Sequence, residues 1–329
     1  MSLPDFFIAG APKAGTTALH AALARHPALY MSPVKEPKFF LTDGPPPARG
    51  GPGDVKTYRE HIWHRAEYEA LFDHAPAGAL RGESTPFYLY SRTAQQRIRE
   101  LIPAARMIVV LRDPAERAHS NWAHLWSAGL EPIGDVMAAC NAEEGRIAAG
   151  WADFWHYTAL GRYGEQLAHL YRTFPPDSVF VLRYRDLVEN PASTLDRICA
   201  FLGVPLGVIA SVPPQNVTAQ PELTLRHRAV SRAQRMTAAA SELVPRLGRM
   251  SDALERALQR HGPPRRPLTP AQRQALIRLF EGDIRLLESI TGDDFSDWLA
   301  PCSASEAGGL VGARPAGQGQ ARNGQPQSF

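Results

Sequence analysis

Phe6-Phe7-Ile8-Ala9-Gly10-Ala11-Pro12-Lys13-Ala14-Gly15-Thr16-Thr17-Ala18-Leu19 is the stretch on which the reading of the fold turns. A short apolar run suited to a buried strand stops at a Gly/Pro turn, and an alanine- and leucine-rich helix follows. Strand, tight loop and helix in that order make an anion cradle. The first N–H groups of the helix lack intrahelical partners, and its dipole end is partly positive. Gly15 lets the backbone approach a ligand, Lys13 adds a point charge, and Thr16 and Thr17 add hydroxyl donors. The run is not a Walker A motif, because its lysine precedes the glycine and so sits on the strand side of the loop. The plain alternative is an ordinary strand–turn–helix whose lysine faces water.

A second stretch supports the cradle. Met107-Ile108-Val109-Val110-Leu111 is apolar throughout, as a strand buried on both faces of a parallel sheet must be. It ends in Arg112-Asp113-Pro114, and a helix follows with Pro114 in its first turn. Arg112 therefore stands at the carboxyl end of a central strand, where open α/β sheets bind ligands, with Ser120 on the helix behind it. An arginine and a hydroxyl so placed suit a phosphate. The competing role for Arg112 is an ion pair with Asp113 or Glu116.

Outward from these two stretches, strands are expected at Ala28–Met31, near Arg81 and at Ser178–Leu182, the last as another buried strand. Helices are expected over Tyr58–Ala75, over Thr93–Ile102 with Thr93 as cap, near Asp135–Asn141, from Tyr163 to Tyr171 and over Pro191–Leu202. Leu268–Ile290 reads as a helix with Thr269 as N-cap, Pro270 at N1, and Leu276, Leu279, Phe280, Leu286 and Leu287 packing. Alternating strands and helices imply one α/β domain, residues 1–300, with a central, mostly parallel sheet flanked by helices and a helical C-terminal subregion. Residues 43–54 are Pro/Gly-rich and read as a mobile surface loop or lid. The arginine-rich stretch within 215–265 reads as a helical cover over an anionic site, with peripheral membrane contact as the other use of such a helix. The Gly/Ala/Gln/Ser-rich tail, 301–329, reads as disordered.

Between two prolines, Lys35 and Glu36 lie in an extended segment, Ser32-Pro33-Val34-Lys35-Glu36-Pro37-Lys38-Phe39-Phe40. A carboxylate held there between lysines could accept a proton in a cleft; a surface loop charge is the bland reading. His119 and His64 are alternative bases, each a lone histidine with a structural role as its default. The net charge of +3 is too mild to imply nucleic acid. Cys140, Cys199 and Cys302 have no metal spacing and no disulfide framework, which suits a reducing compartment. With no basic leader and no apolar run of spanning length, a cytoplasmic protein is expected.

In order along the chain, these motifs resemble the sulfotransferases that use 3′-phosphoadenosine 5′-phosphosulfate (PAPS). Ala11–Thr17 is similar to that family's 5′-phosphosulfate loop, and Val109–Pro114 through Ser120 to its 3′-phosphate strand and helix. Lys35–Phe40, Gly82-Glu83-Ser84-Thr85-Pro86-Phe87-Tyr88 and Gly161-Arg162-Tyr163 resemble segments of the branch that includes the heparan sulfate sulfotransferases and many bacterial members. The resemblance implies a P-loop-like fold over residues 5–299. It implies a 5′-phosphosulfate held by Lys13, Ala14, Gly15, Thr16 and Thr17, and a 3′-phosphate held by Arg112 and Ser120. Arg226 and Arg228 stand in for a late phosphate-contacting loop that has no clean match. Glu36 matches the general base of the O-sulfating members. Ser84 replaces a lysine frequent in the animal enzymes and Lys38 a histidine of many relatives, so the acceptor side does not carry over. The implied reaction moves a sulfuryl group from PAPS to a hydroxyl, less readily an amine, on a glycan, glycolipid or small metabolite, without metal. The rivals are a P-loop-type kinase or NTPase, which would need Gly-Lys-[Ser/Thr] and a metal carboxylate, and a non-catalytic nucleotide binder.

Overall fold

A computed structural model describes residues 2–42, 44–213 and 268–300. Five strands, β1 Phe6–Gly10, β2 Leu29–Met31, β3 Leu80–Ser84, β4 Arg106–Leu111 and β5 Val179–Arg183, form one sheet in the order β2-β3-β1-β4-β5. Every pairing is parallel. β1 lies in the middle, and all of its residues are buried. Its apolar run thus has the setting that continuous hydrophobicity calls for. β5 differs from expectation: Phe180 and Val181 are only partly covered, because β5 is an edge strand among the described residues. Phe201 stacks on Phe180 to cover one face.

Gly82 is needed in β3 for packing. A Cβ there would come within 2.6 Å of the Met31 sulfur and would also strike the Phe6 ring, so only a bare backbone lets β1, β2 and β3 close up.

Helices α1 Thr16–Leu23, α4 Arg92–Leu101, α5 Pro114–Ser127, α8 Tyr163–Thr173 and α10 Pro191–Leu202 supply the crossovers and covering layers. Sequence periodicity over Tyr58–Ala75 resolves into two short helices, α2 Asp54–Arg59 and α3 Arg65–Ala70. The break is held by the Ile62 N–H donating to the Pro37 carbonyl and the Trp63 indole donating to the Tyr58 carbonyl. The cap of α4 is Ser91, which accepts from the Ala94 N–H, and not Thr93. Helix α6, Val136–Asn141, starts after an Asp135 cap, and α7 Glu143–Ala148 and α9 Tyr184–Glu189 add turns that periodicity missed.

The long helix α11, Pro270–Thr291, has the expected start, with Thr269 and Gln272 forming a reciprocal capping box. Leu276, Phe280 and Leu287 are buried, whereas Leu279 and Leu286 are exposed on the outer face. Asp283 on α11 caps α8 by accepting from the Gly164 and Glu165 N–H groups, at 2.8 and 2.9 Å. The short helix α12, Ser296–Leu299, seats Trp298 against Phe295.

Within the 43–54 loop, Asp54 is buried and accepts from the Gly51 and Ala152 N–H groups and the Trp155 indole. Cys140 and Cys199 are free and buried. Among the described residues no helix is long and apolar enough to cross a membrane. The helical cover expected in 215–265, the tail 301–329 and Cys302 lie outside the described residues.

Gly82→Ala should lower unfolding stability by about 1–3 kcal/mol through overpacking against Phe6 and Met31, as a shift in the urea midpoint without a change in m-value.

Candidate active site

Because β3, β1 and β4 are parallel neighbours, the loops at their carboxyl ends emerge side by side. The loop after β1 turns sharply. The Ala11 N–H donates to the Val110 carbonyl on β4 at 2.8 Å, and the backbone becomes left-handed at Lys13 (φ 67°) and Gly15 (φ 84°). Gly15 is the residue before α1, which has no side-chain cap and no acid in its first turn. That helix start therefore keeps its unpaired N–H groups and positive dipole end for a ligand. A Cβ at Gly15 would sit 2.6 Å from the Tyr184 ring, which closes over the turn.

Arg112 follows β4. Its Nη1 donates to the Lys13 carbonyl at 3.3 Å, and its guanidinium lies 5.1 Å from the centre of the Tyr184 ring. The turns after β1 and β4 are thus in direct contact. Arg112 also approaches Glu116 at 3.5 Å, whereas Asp113 pairs with Arg273 on α11 and caps α5 through the Ala115 and Glu116 N–H groups. Tyr163 fixes the same turn by donating to the Arg112 carbonyl at 3.0 Å. Thr16 and Ala14 are buried, Thr17 is exposed, and Ser120 is partly exposed on α5. Arg226 and Arg228 lie outside the described residues.

The Glu36 segment runs beside the end of β3, where the Glu36 N–H donates to the Ser84 carbonyl at 2.9 Å. Its side chain is 28% exposed, ion-paired to Lys35 and 3.9 Å from the Lys38 ammonium. Glu36 therefore faces its own lysines and not bulk solvent.

Sequence reasoning missed the histidines around this group. His124 on α5 has a buried Nδ1 with no hydrogen-bond partner. Burial pushes it down to about 4, with the Lys13 charge adding to the drop and the Glu36 charge opposing it. Burial pushes His61 down to about 4 as well, Lys38 lowering and Glu36 raising it. His20 hydrogen-bonds Ser84 at 2.8 Å and falls to about 4 through burial and then Lys35. All three are neutral at pH 7. His119 is instead buried and stacked on Trp122, and His64 is exposed just before α3. The spacing Arg117, Asn121, His124 was the available signal, a polar stripe at helical period on a helix that must pack. Arg117 and Asn121 bind the Tyr157 and Phe154 carbonyls, and His124 meets the Phe154 ring edge-on. Tyr184 was visible only as a residue following a strand.

A family model described as "Sulfotransferase family" matches residues 4–207. The chain belongs to that family. Human heparan sulfate glucosamine 3-O-sulfotransferase 3B1 is 29% identical over 203 residues, 61% of this chain and 46% of that protein. Human bifunctional heparan sulfate N-deacetylase/N-sulfotransferase 3 is 25% identical over 222 residues, 61% of this chain and 22% of that one. The sulfotransferase thus spans less than half the length of either relative. Its fold matches the crystal structure of a sulfotransferase from Alicyclobacillus acidocaldarius, with TM-score 0.70 and 26% identity over 91% of this chain and 99% of the other.

Beneath Glu36, Glu83 of this sulfotransferase is fully buried. Burial pushes its carboxyl up to about 7, against hydrogen bonds from Thr85, Tyr68 and Tyr88, with the Glu36 charge adding to the rise. Between its ordinary value of 4.5 and about 7 the native state holds a proton that the unfolded chain has lost. Stability from this group is therefore lost as pH rises through that window. Relative to Glu83→Gln, the wild type should lose about 1–3 kcal/mol in urea unfolding between pH 4.5 and pH 7.5.

Proposed function

We propose that this sulfotransferase moves a sulfuryl group from PAPS to a hydroxyl of a glycan, glycolipid or small metabolite, with Lys13 and Glu36 as the catalytic residues. The observation that carries the reading is the direct contact of the two turns at the carboxyl ends of β1 and β4. There Arg112 donates to the Lys13 carbonyl, and the Glu36 segment is hydrogen-bonded to the end of β3, the neighbour of β1. The donor set is cationic and rich in N–H and hydroxyl groups at two adjacent turns, which suits a nucleoside carrying an anion at each end.

PAPS supplies an activated sulfuryl group on a phosphate leaving group. Lys13, the N–H groups of Ala14, Gly15 and the α1 start, and the Thr16 and Thr17 hydroxyls stabilise the charge that gathers on the leaving phosphate as its bond to sulfur breaks. Arg112 and Ser120 hold the 3′-phosphate, with the Tyr184 ring backing the guanidinium. Glu36 takes the proton of the acceptor hydroxyl as the new oxygen–sulfur bond forms. Lys35 and Lys38 hold its carboxylate, and Phe87, beneath the Lys38 ammonium, offers an aromatic wall to the acceptor. A carboxylate base favours a hydroxyl acceptor over an amine. The relatives' names speak of heparan sulfate, so a glycan is the first acceptor class to try. Positioning and electrostatics carry the chemistry, as in loose phosphoryl transfer.

Incubating the protein with isotope-labelled PAPS and cell extract should yield a product heavier by one labelled sulfate in mass spectrometry. Lys13→Ala and Glu36→Gln should each cut that transfer by about 10²-fold or more; wild-type rates in both would refute the roles. Adenosine 3′,5′-bisphosphate should bind by calorimetry in the presence of EDTA, and Arg112→Ala should weaken it by about 1.5–3 kcal/mol, the range of a charged hydrogen bond. Turnover of ATP, or a strict need for Mg²⁺ in binding, would favour the kinase reading instead.

A further inference from the structure

Glu83 has no part in the reaction as described, yet it is a carboxylate with 0% exposure in the middle of a parallel sheet. Such a group is costly unless its oxygens are well served. The Tyr68 hydroxyl donates to one oxygen and the Thr85 hydroxyl donates to the other at 2.6 Å.

Each of these donors also holds one residue of the segment that carries Glu36. The Thr85 Oγ1 accepts from the Lys38 N–H at 3.3 Å. The Tyr88 hydroxyl accepts from the Phe40 N–H at 3.4 Å. The Tyr68 ring lies parallel to Phe39, with centroids 4.4 Å apart. A hydroxyl has a single proton to give. Because Thr85 gives its proton to Glu83, its lone pairs are turned toward the Lys38 amide.

The segment needs such a hold. Glu36 and Lys38 are both non-glycine residues in the left-handed region, with φ 61° and 58°. Such a conformation is strained for a residue with a side chain and persists only where the surroundings over-determine it. Released, this backbone would relax and carry the Glu36 carboxylate with it.

We propose that Glu83 is a positioning residue for Glu36: a buried acceptor that orients the Thr85 hydroxyl, and through it the backbone from which Glu36 reaches the acceptor oxygen. This rests on the reading of Glu36 as the base. Glu83 is not itself a base, because it is fully buried and both of its oxygens are engaged.

Thr85→Val keeps the side-chain shape and removes the hydroxyl; Thr85→Ser restores the hydroxyl. Turnover is read with labelled PAPS and the acceptor-containing fraction of cell extract, and amide hydrogen exchange reports on residues 36–40. Thr85→Val should speed exchange at Lys38 and lower kcat, each by about tenfold, while the KM for PAPS stays within about twofold. Thr85→Ser should recover both. A wild-type kcat in Thr85→Val, or a loss that Thr85→Ser does not recover, overturns the proposal. If Thr85→Val does not fold, Glu83→Gln carries the test: a lower kcat at unchanged PAPS KM supports the proposal, and a wild-type kcat overturns it. Glu36→Gln, measured alongside, separates the two readings. Wild-type turnover in Glu36→Gln sinks the base assignment. Lost turnover there beside an intact Thr85→Val sinks the positioning role alone.

Discussion

β1 sits between β3 and β4 with all three strands parallel, and the meeting of the candidate-site turns depends on that adjacency. Parallel neighbours end on the same edge, so the Lys13 turn, the Ser84–Thr85 strand end and the Arg112 turn come together without any long-range loop having to reach for another. The hydrogen bond from Arg112 to the Lys13 carbonyl is the local expression of this arrangement. A strand order that separated β1 from β4 would part the Lys13 and Arg112 turns by at least one strand spacing.

Around those turns, burial keeps the histidines uncharged and leaves lysine and arginine to carry the positive field. His20, His61 and His124 all fall well below the ordinary histidine range because they are desolvated next to lysines. Neutral rings can pass or accept hydrogen bonds beside Glu36 without competing for its charge.

The long C-terminal helix matters to the site although it lies outside the sheet. Arg273 pairs with Asp113, the residue that caps α5 just after Arg112, and Asp283 caps α8, whose first residue Tyr163 bonds the Arg112 carbonyl. Both ends of the Arg112 turn are therefore tied to one helix. Rigid support of this kind is what holds a cationic side chain to a fixed geometry when its ligand is absent.

The β1 cradle, the β4 strand ending in Arg112 and the capped C-terminal helix were legible in the chain itself. Their signals are local: a continuous apolar run, a glycine after a turn, a proline at N1. Ser91 in place of Thr93 as cap and the split of 58–75 into two helices show where local signals end, since neighbouring polar residues compete for one cap and a tertiary bond from Ile62 to Pro37 breaks a periodic run. Only the tertiary structure decided the rest. Glu83 read as part of a polar turn, because nothing local says that Tyr68 will bring it a hydroxyl. His124 and Tyr184 gained their places by packing across the site. A carboxylate or an imidazole has no function by type; its surroundings assign one, and those surroundings come from residues far away in the chain.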